Sequence, residues 1–381
     1  MCGIVGASAQ RNVAPILLEG LRRLEYRGYD SAGMALVENG RIERTRAVGK
    51  VAALTACLGE HNPGTLGIAH TRWATHGGVS ETNAHPHVSN DRVAVVHNGI
   101  IENHEALRAR LHEAGYRFDS QTDTEVVAHL IDSYRAASAT LAEAVRRAVA
   151  ELHGAYALAV VAAGDPDTLV ATRSGSPLVL GVGIGEHFVA SDVAALLPVT
   201  RRFVYLEEGD IVTLTPAGFE VTDAEGRVLE RPVQESGLSA EASEKGGYRH
   251  FMLKEIHEQP RALADTWQGR LSDTGVLASS IGPGVEALLA GVEAVHIVAC
   301  GTSSHAGMVA RYWIEAEARI PCNVELASEY RYRDPVVPKN CLFVTLSQSG
   351  ETADTLAALR YANGLDAGAG YLATLAICNK P

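Results

Sequence analysis

No run of the 381 residues approaches the ~18 consecutive apolar positions that a membrane-spanning helix needs, and the N-terminus has neither the basic lead nor the apolar core of a secretory signal. Basic residues are scarce: 33 Lys and Arg stand against 45 Asp and Glu, a net charge of -12, with no Lys/Arg block anywhere. That balance argues against nucleic acid as a partner. Cysteine is sparse too. Its six positions (Cys2, Cys57, Cys300, Cys322, Cys341 and Cys378) form no C-x-x-C pair, which excludes both a disulfide framework and a thiolate zinc site. Reduced thiols of a cytoplasmic protein are expected. There is no G-x-x-x-x-G-K-[ST], and Gly181-Val182-Gly183-Ile184-Gly185 lacks the spacing and context of a dinucleotide loop, so nucleotide binding is disfavoured.

What is present suggests two or three domains, at roughly 150 residues each. Up to about residue 230, strand-like runs (Gly3 to Ser8, Ala32 to Glu38, Thr65 to Ala69, Val93 to His97, Ala155 to Val161, Leu169 to Thr172 and Phe203 to Thr213) mix irregularly with helical ones. Ile16, Leu17, Leu21 and Leu24 fall at helical spacing, as do Val126, Val127, Leu130, Ile131 and Tyr134, with Thr122 and Glu125 placed as a capping box. This is an α+β pattern for residues 1–230. Residues 231–247, rich in Gly, Ser and Glu, read as a linker. From 248 to 381 helices alternate with the short apolar strands Val295 to Ala299, Val324 to Leu326, Leu342 to Leu346 and Leu372 to Ile377, which predicts a parallel sheet covered by helices.

Cys2 is the most informative residue. Removal of Met1 would join a nucleophilic thiol (ordinary pKa ~8.5) to a free α-amine (~7.7 to 8) able to take its proton. A small apolar residue opening a buried strand is the plainer reading. Three polar clusters accompany it at element ends: Arg27-Gly28-Tyr29-Asp30-Ser31-Ala32-Gly33, His70-Thr71-Arg72-Trp73-Ala74-Thr75-His76-Gly77, and His97-Asn98-Gly99. Together they suit a small zwitterion beside an oxyanion hole. Arg72 could clamp a carboxylate, Asp123 an ammonium, and the Asn98 amide with the Gly99 N–H could face the oxyanion of an acyl transfer. Each also has a structural alternative: a type I′ hairpin turn at Asn98-Gly99, a helix start at Asp123, a surface ion pair at Arg72. His70, His76, His85, His87 and His97 lie within 28 positions, but they show no metal-ligand spacing, and no metal or other cofactor is expected.

Two loops stand out beyond the linker, each where a strand hands over to a helix: Cys300-Gly301-Thr302-Ser303-Ser304-His305 and Ser347-Gln348-Ser349-Gly350-Glu351-Thr352. Hydroxyls and free amides at a helix N-terminus make a phosphate cradle without Lys, although Ser and Thr also cap helices for purely structural reasons.

Cys2-Gly3-Ile4-Val5-Gly6, Tyr26 to Gly33, His70 to Gly77, Asn83-Ala84-His85-Pro86-His87 and His97 to Asn103 closely resemble the glutaminase domain of the glucosamine-6-phosphate synthases, the glutamine:fructose-6-phosphate amidotransferases. The resemblance implies an N-terminal-nucleophile hydrolase fold of α/β/β/α layers, with Cys2 attacking the glutamine amide and its own α-amine as base. It further implies Asn98 and Gly99 as oxyanion hole, Arg72, Thr75, His76, Gly77 and Asp123 around glutamine, and Trp73 as a gate on the ammonia path. The two later loops, with Glu325-Leu326-Ala327-Ser328-Glu329-Tyr330-Arg331-Tyr332, are similar to α/β/α sugar isomerase domains, implying fructose 6-phosphate contacts from Thr302, Ser303, Ser347, Gln348, Ser349 and Thr352. The family works as homo-oligomers, which implies a homodimer if the second domain folds. The likeness stops in mid-domain near Asn379, so the sugar isomerase domain is expected to be partial and the chain to keep glutaminase activity alone. Two rivals are another N-terminal cysteine amidotransferase, such as glutamine phosphoribosylpyrophosphate amidotransferase or asparagine synthetase, and a non-catalytic phosphosugar-binding regulator. The first lacks its diphosphate or ATP loop here; the second leaves Cys2, Arg72, Asn98 and Asp123 unexplained.

Overall fold

The computed structural model describes residues 2–58, 64–74, 77–236, 247–267, 270–272, 275–277, 281–282, 284–350, 352–365 and 370–379. The chain divides into two units, Met1–Glu244 and Lys245–Pro381.

Two antiparallel sheets build the first unit. One runs in the order β15-β11-β9-β10-β1-β4-β2-β3, from β1 (Gly3–Ala9), β2 (Ser31–Glu38), β3 (Arg41–Val48), β4 (Leu66–Arg72), β9 (Val179–Val182), β10 (Glu186–Ala190), β11 (Arg202–Tyr205) and β15 (Gln234–Glu235). The other runs β14-β13-β12-β8-β7-β6-β5, from β5 (His87–Ser89), β6 (Val93–Ile101), β7 (Gly154–Ala162), β8 (Leu169–Ser174), β12 (Ile211–Thr215), β13 (Gly218–Thr222) and β14 (Val228–Leu229). Strand side chains alternate between faces, so each sheet feeds two cores. On β6, Ala94 and Val96 join a core between the sheets with Ile4, Ile68, Ala157 and Ala159, while Val93 and Val95 pack outward against helices. Those helices are α3 (His104–Glu113), α4 (Asp123–Arg135) and α5 (Leu141–Val149), through Leu107, Val127, Leu130 and Val145. On the far side, Val5, Ala7, Met34 and Leu36 meet Leu17, Leu21 and Leu24 of α1 (Ala14–Leu24) and Leu54 of α2 (Val51–Cys57). Helix, sheet, sheet and helix therefore stack in the expected four layers.

Two local expectations change. The run Phe203 to Thr213 is two strands, not one: β11 and β12 belong to different sheets, joined by a turn in which Glu207 N–H donates to Asp210 Oδ2 at 2.8 Å. Asn98-Gly99 is no hairpin turn, because β6 stays paired with β7 past it, to Ile101 opposite Gly154. Within the 231–247 stretch expected to be linker, Arg231 reaches Asp210 with both nitrogens (2.8 and 2.9 Å) and Gln234 and Glu235 pair with β11; residues 237–246 lie outside the described ones.

The second unit contains α6 (Phe251–Trp267), a short hairpin of β16 (Leu271–Ser272) and β17 (Gly275–Val276), and α7 (Val285–Ala290). Its centre is a four-stranded parallel sheet, ordered β19-β18-β20-β21, from β18 (Ala294–Ala299), β19 (Cys322–Leu326), β20 (Cys341–Ser347) and β21 (Ala373–Cys378). Ile297 and Val344 face Ala310 of α8 (Gly301–Trp313), and Val298 and Phe343 face Tyr330 of α9 (Ala327–Tyr330) and Ala358 of α10 (Ala353–Asn363). Helices thus cover both faces, as the alternating pattern predicts. None of the described helices is long and apolar enough to cross a membrane.

Candidate active site

Cys2 stands half-buried just before β1, and the β1–β4 register, with Gly3 opposite Thr71, sets it beside Arg72 and Trp73. Its Sγ accepts the Trp73 backbone N–H at 3.2 Å and lies 3.5 Å from the Trp73 carbonyl oxygen. Burial raises the thiol above its ordinary value; the Trp73 N–H and the Arg72 charge pull the other way and Asp30 reinforces the rise. A thiol held protonated in this manner needs a base to become a nucleophile.

Asn98 comes from the facing sheet, and its Nδ2 donates to the Cys2 carbonyl at 3.0 Å. Gly99 follows it with φ +127°, and a Cβ there would stand 1.9 Å from the Ala155 carbonyl oxygen. Only glycine fits, because both the left-handed conformation and the close β7 backbone exclude a side chain.

Arg72 is buried, not the surface ion-pair residue of its alternative reading, and its guanidinium donates to the carbonyls of Gly78 (3.2 Å) and Gly77 (3.3 Å). It therefore shapes the loop after β4. Asn83 closes the same loop, donating to Gly78 O (3.0 Å) and accepting from Gln121 N–H (3.0 Å) just ahead of α4. Asp123 opens α4, so the helix-start reading holds, and its Oδ2 also accepts Ile101 N–H at 2.9 Å. Thr122 caps that helix toward Glu125 N–H (3.4 Å), while the Glu125 carboxylate bonds the Asp119 and Ser120 amides (2.9 and 2.8 Å) rather than returning to Thr122. Trp73 is 49% exposed and meets Tyr29 edge-to-face at 5.5 Å. Thr75 and His76 lie outside the described residues.

Three contacts were not legible in the motifs. Asp30 accepts Ala74 N–H and the Ser31 hydroxyl, fixing the segment that carries Trp73. Arg27 forms a buried ion pair with Asp192, the residue after Ser191, whose hydroxyl accepts Ile4 N–H at 3.0 Å. His70 bonds Asn98 Oδ1 through Nε2 at 2.9 Å. His97 Nδ1 meets Thr124 Oγ1 (2.9 Å) and His87 Nε2 meets Thr122 Oγ1 (3.0 Å); among the described residues no group of three or more His, Cys, Asp or Glu could hold a metal.

In the second unit, β18 leads through α8 to β19 on one side, whereas β20 leads through α10 to β21 on the other. The carboxyl ends of the neighbours β18 and β20 are therefore a topological switch point, where open α/β sheets form a crevice. Both singled-out loops lie there. Gly301 (φ +55°) turns the chain into α8, placing Thr302 and Ser303 in its first turn. Ser347 Oγ accepts Gly350 N–H (3.1 Å) and meets the hydroxyl of Thr352, the α10 N-cap, at 3.3 Å; Gln348 is exposed and Ser349 half-buried beside them. Neither Thr352 nor Cys300 caps its helix with a side-chain bond.

Residues 70–198 match the glutamine amidotransferase domain and residues 288–381 the SIS domain. Over all 381 residues the chain is 60% identical to glutamine--fructose-6-phosphate aminotransferase [isomerizing] of Pseudomonas aeruginosa, covering 62% of that protein, and over 383 aligned positions it is 57% identical to the Escherichia coli K12 protein of the same name, again covering 62%. Over its whole length the chain is similar to these aminotransferases. It spans 62% of the length of these curated relatives. Glutamine phosphoribosylpyrophosphate amidotransferase from B. subtilis shares the fold at a TM-score of 0.52 and 19% identity, covering 100% of this chain and 82% of its own. The four-layered first unit and the parallel sheet of the second are thus those of an amidotransferase joined to an SIS domain.

Proposed function

We propose that the first unit hydrolyses glutamine, with Cys2 as nucleophile once Met1 is removed. One observation carries the reading: the half-buried Cys2 thiol, raised by burial, receives the Trp73 N–H while Asn98 Nδ2 donates to the Cys2 carbonyl. In this mechanism the α-amine of Cys2 takes the thiol proton and Sγ attacks the side-chain amide carbon. Asn98 Nδ2 and Gly99 N–H receive the oxyanion, and the amine returns the proton to the leaving nitrogen, which departs as ammonia. Water then cleaves the thioester to glutamate and regenerates the thiol. Arg72 binds the α-carboxylate and Asp123 the α-ammonium, with Thr75, His76 and Gly77 lining the pocket and Trp73 gating the ammonia path.

In the second unit the reading places fructose 6-phosphate at the switch point, with Thr302, Ser303, Ser347, Gln348, Ser349 and Thr352 about its phosphate and sugar. Unused helix caps on two adjacent loops support this. Ammonia delivered to that sugar would give glucosamine 6-phosphate, and the relatives' name, glutamine--fructose-6-phosphate aminotransferase [isomerizing], supports this. Residence in the cytoplasm, supported by six free cysteines, and assembly as a homodimer belong to the same reading. The boundaries 1–230, 231–247 and 248–381 are proposed for its glutaminase domain, linker and sugar domain. Assaying the 381-residue protein separately for glutamate and for glucosamine 6-phosphate tests the two halves; absence of glutamate release with Met1 removed would end the glutaminase reading.

A further inference from the structure

Asn98 can serve an oxyanion only if its amide points one way. Rotating that amide by half a turn would exchange Nδ2 for Oδ1 and aim an acceptor where a donor is required. Two contacts bear on the choice. Nδ2 donates to the Cys2 carbonyl at 3.0 Å, and Oδ1 lies 2.9 Å from His70 Nε2. The first bond uses one of the two Nδ2 hydrogens and leaves the other for the developing oxyanion, while the second holds the opposite end of the amide.

The second contact requires His70 in one tautomer. With Oδ1 as acceptor, Nε2 must carry the hydrogen, leaving Nδ1 as a bare lone pair. Nδ1 is buried and has no hydrogen-bond partner among the described residues. The opposite tautomer would set two lone pairs against each other at 2.9 Å, so the observed geometry selects Nε2–H. The ring itself is fixed: His70 is 1% exposed on β4 and stacks on His85 at 4.2 Å between centroids. Burial also drives its pKa down to about 3, so it stays neutral at any working pH.

We propose that His70 is a positioning residue for the nucleophilic step, donating Nε2–H to Asn98 Oδ1 so that the Asn98 amide presents Nδ2 to the oxyanion. This rests on the glutaminase reading of Cys2 and Asn98. It also divides the histidines by role: His87 and His97 tie β5 and β6 to α4 through Thr122 and Thr124, whereas His70 hydrogen-bonds the amide.

The test uses the full chain and two variants of opposite chemistry. In His70→Gln the side-chain amide nitrogen reaches the Nε2 position and can still donate; in His70→Asn it reaches only the Nδ1 position. Expected are a 10- to 100-fold fall in kcat for His70→Asn, less than threefold change in glutamine KM, an unaltered rate of Cys2 alkylation, and recovery of most of the loss in His70→Gln. In an Asn98→Ala background, His70→Asn should cost less than twofold more, because there is no amide left to orient. Equal losses for the two substitutions, or the same further loss without Asn98, would reduce His70 to packing and overturn the proposal. A wild-type chain that releases no glutamate overturns the glutaminase reading, and this inference with it.

Discussion

Trp73 gives its backbone N–H to Cys2 Sγ at 3.2 Å across 71 residues of sequence. The register of β1 against β4 brings them together, and Asp30, accepting Ala74 N–H, holds the Trp73 segment in place. The donor is a main-chain group, so no substitution at Trp73 other than proline removes it. Nucleophile, carboxylate-binding candidate and exposed indole are therefore tied together by one strand pairing.

Cys2→Ala should abolish glutamate release with little loss of stability. The residue is half-buried, and among the described residues its side chain hydrogen-bonds only Trp73, so the change in unfolding free energy should stay within about 1 kcal/mol. Thermal melting beside a glutamate assay checks both halves. A variant that hydrolyses glutamine but melts early would make Cys2 a packing residue.

Arg72→Ala and Asn98→Ala should fail in different ways. Losing the guanidinium removes ground-state binding and frees the Gly77 and Gly78 carbonyls, so glutamine KM should rise by at least tenfold. Losing the amide removes a donor used mainly in the transition state, so kcat should fall about 100- to 1,000-fold with KM nearly constant. Steady-state kinetics separates the two; the reverse pattern would reassign both residues.

The layered core was legible because β1, β6 and β7 send side chains to two apolar cores, so each reads as a continuous apolar run. β3 was not, since Arg41, Glu43, Arg44 and Arg46 mask it; an edge strand is protected by its charges. Within Phe203 to Thr213 the turn is legible in Glu207-Glu208-Gly209-Asp210, which interrupts the β-propensity, but local sequence cannot report that the two strands belong to different sheets. The motif residues were visible as types, but the bonds that aim them, His70 to Asn98 and Arg27 to Asp192, join positions 28 and 165 apart. Pairing of that kind exists only once the register does.

Gly99→Ala should destabilise the protein as well as inactivate it. Left-handed strain of about 1–3 kcal/mol adds to a Cβ contact of 1.9 Å with backbone that cannot retreat without breaking the β6–β7 ladder. A denaturation midpoint unchanged from wild type would show that β6 relaxes there.

The first unit should lose stability in acid well before its carboxylates titrate. Burial holds His70 at about 3 and keeps His85 and His87 well below 6.5, each further lowered by neighbouring positive charge. The folded state therefore stays unprotonated while the unfolded chain takes up protons. Stability is full above about pH 6.5 and falls as the pH drops from there toward 3, by up to about 1.4 kcal/mol per pH unit for each histidine. Denaturant midpoints at pH 7, 6, 5 and 4 measure the slope. His87→Gln, which keeps a donor near Thr122 but cannot titrate, should flatten it; an unchanged slope would place the acid sensitivity elsewhere.

Fructose 6-phosphate should bind at the ends of β18 and β20, and the hydroxyls there should matter together. Ser347 bridges Gly350 N–H and Thr352, and Thr302 stands in the first turn of α8, so an incoming phosphate can take amide and hydroxyl donors from both loops without a lysine. Calorimetric titration of the 381-residue chain should show saturable binding that weakens at least tenfold in Ser347→Ala and in Thr302→Val. Glutamine hydrolysis should be unchanged in both, because neither residue belongs to the first unit. Were the variants to bind as wild type does, the two loops would be ordinary strand-to-helix connections and the sugar would have to sit elsewhere.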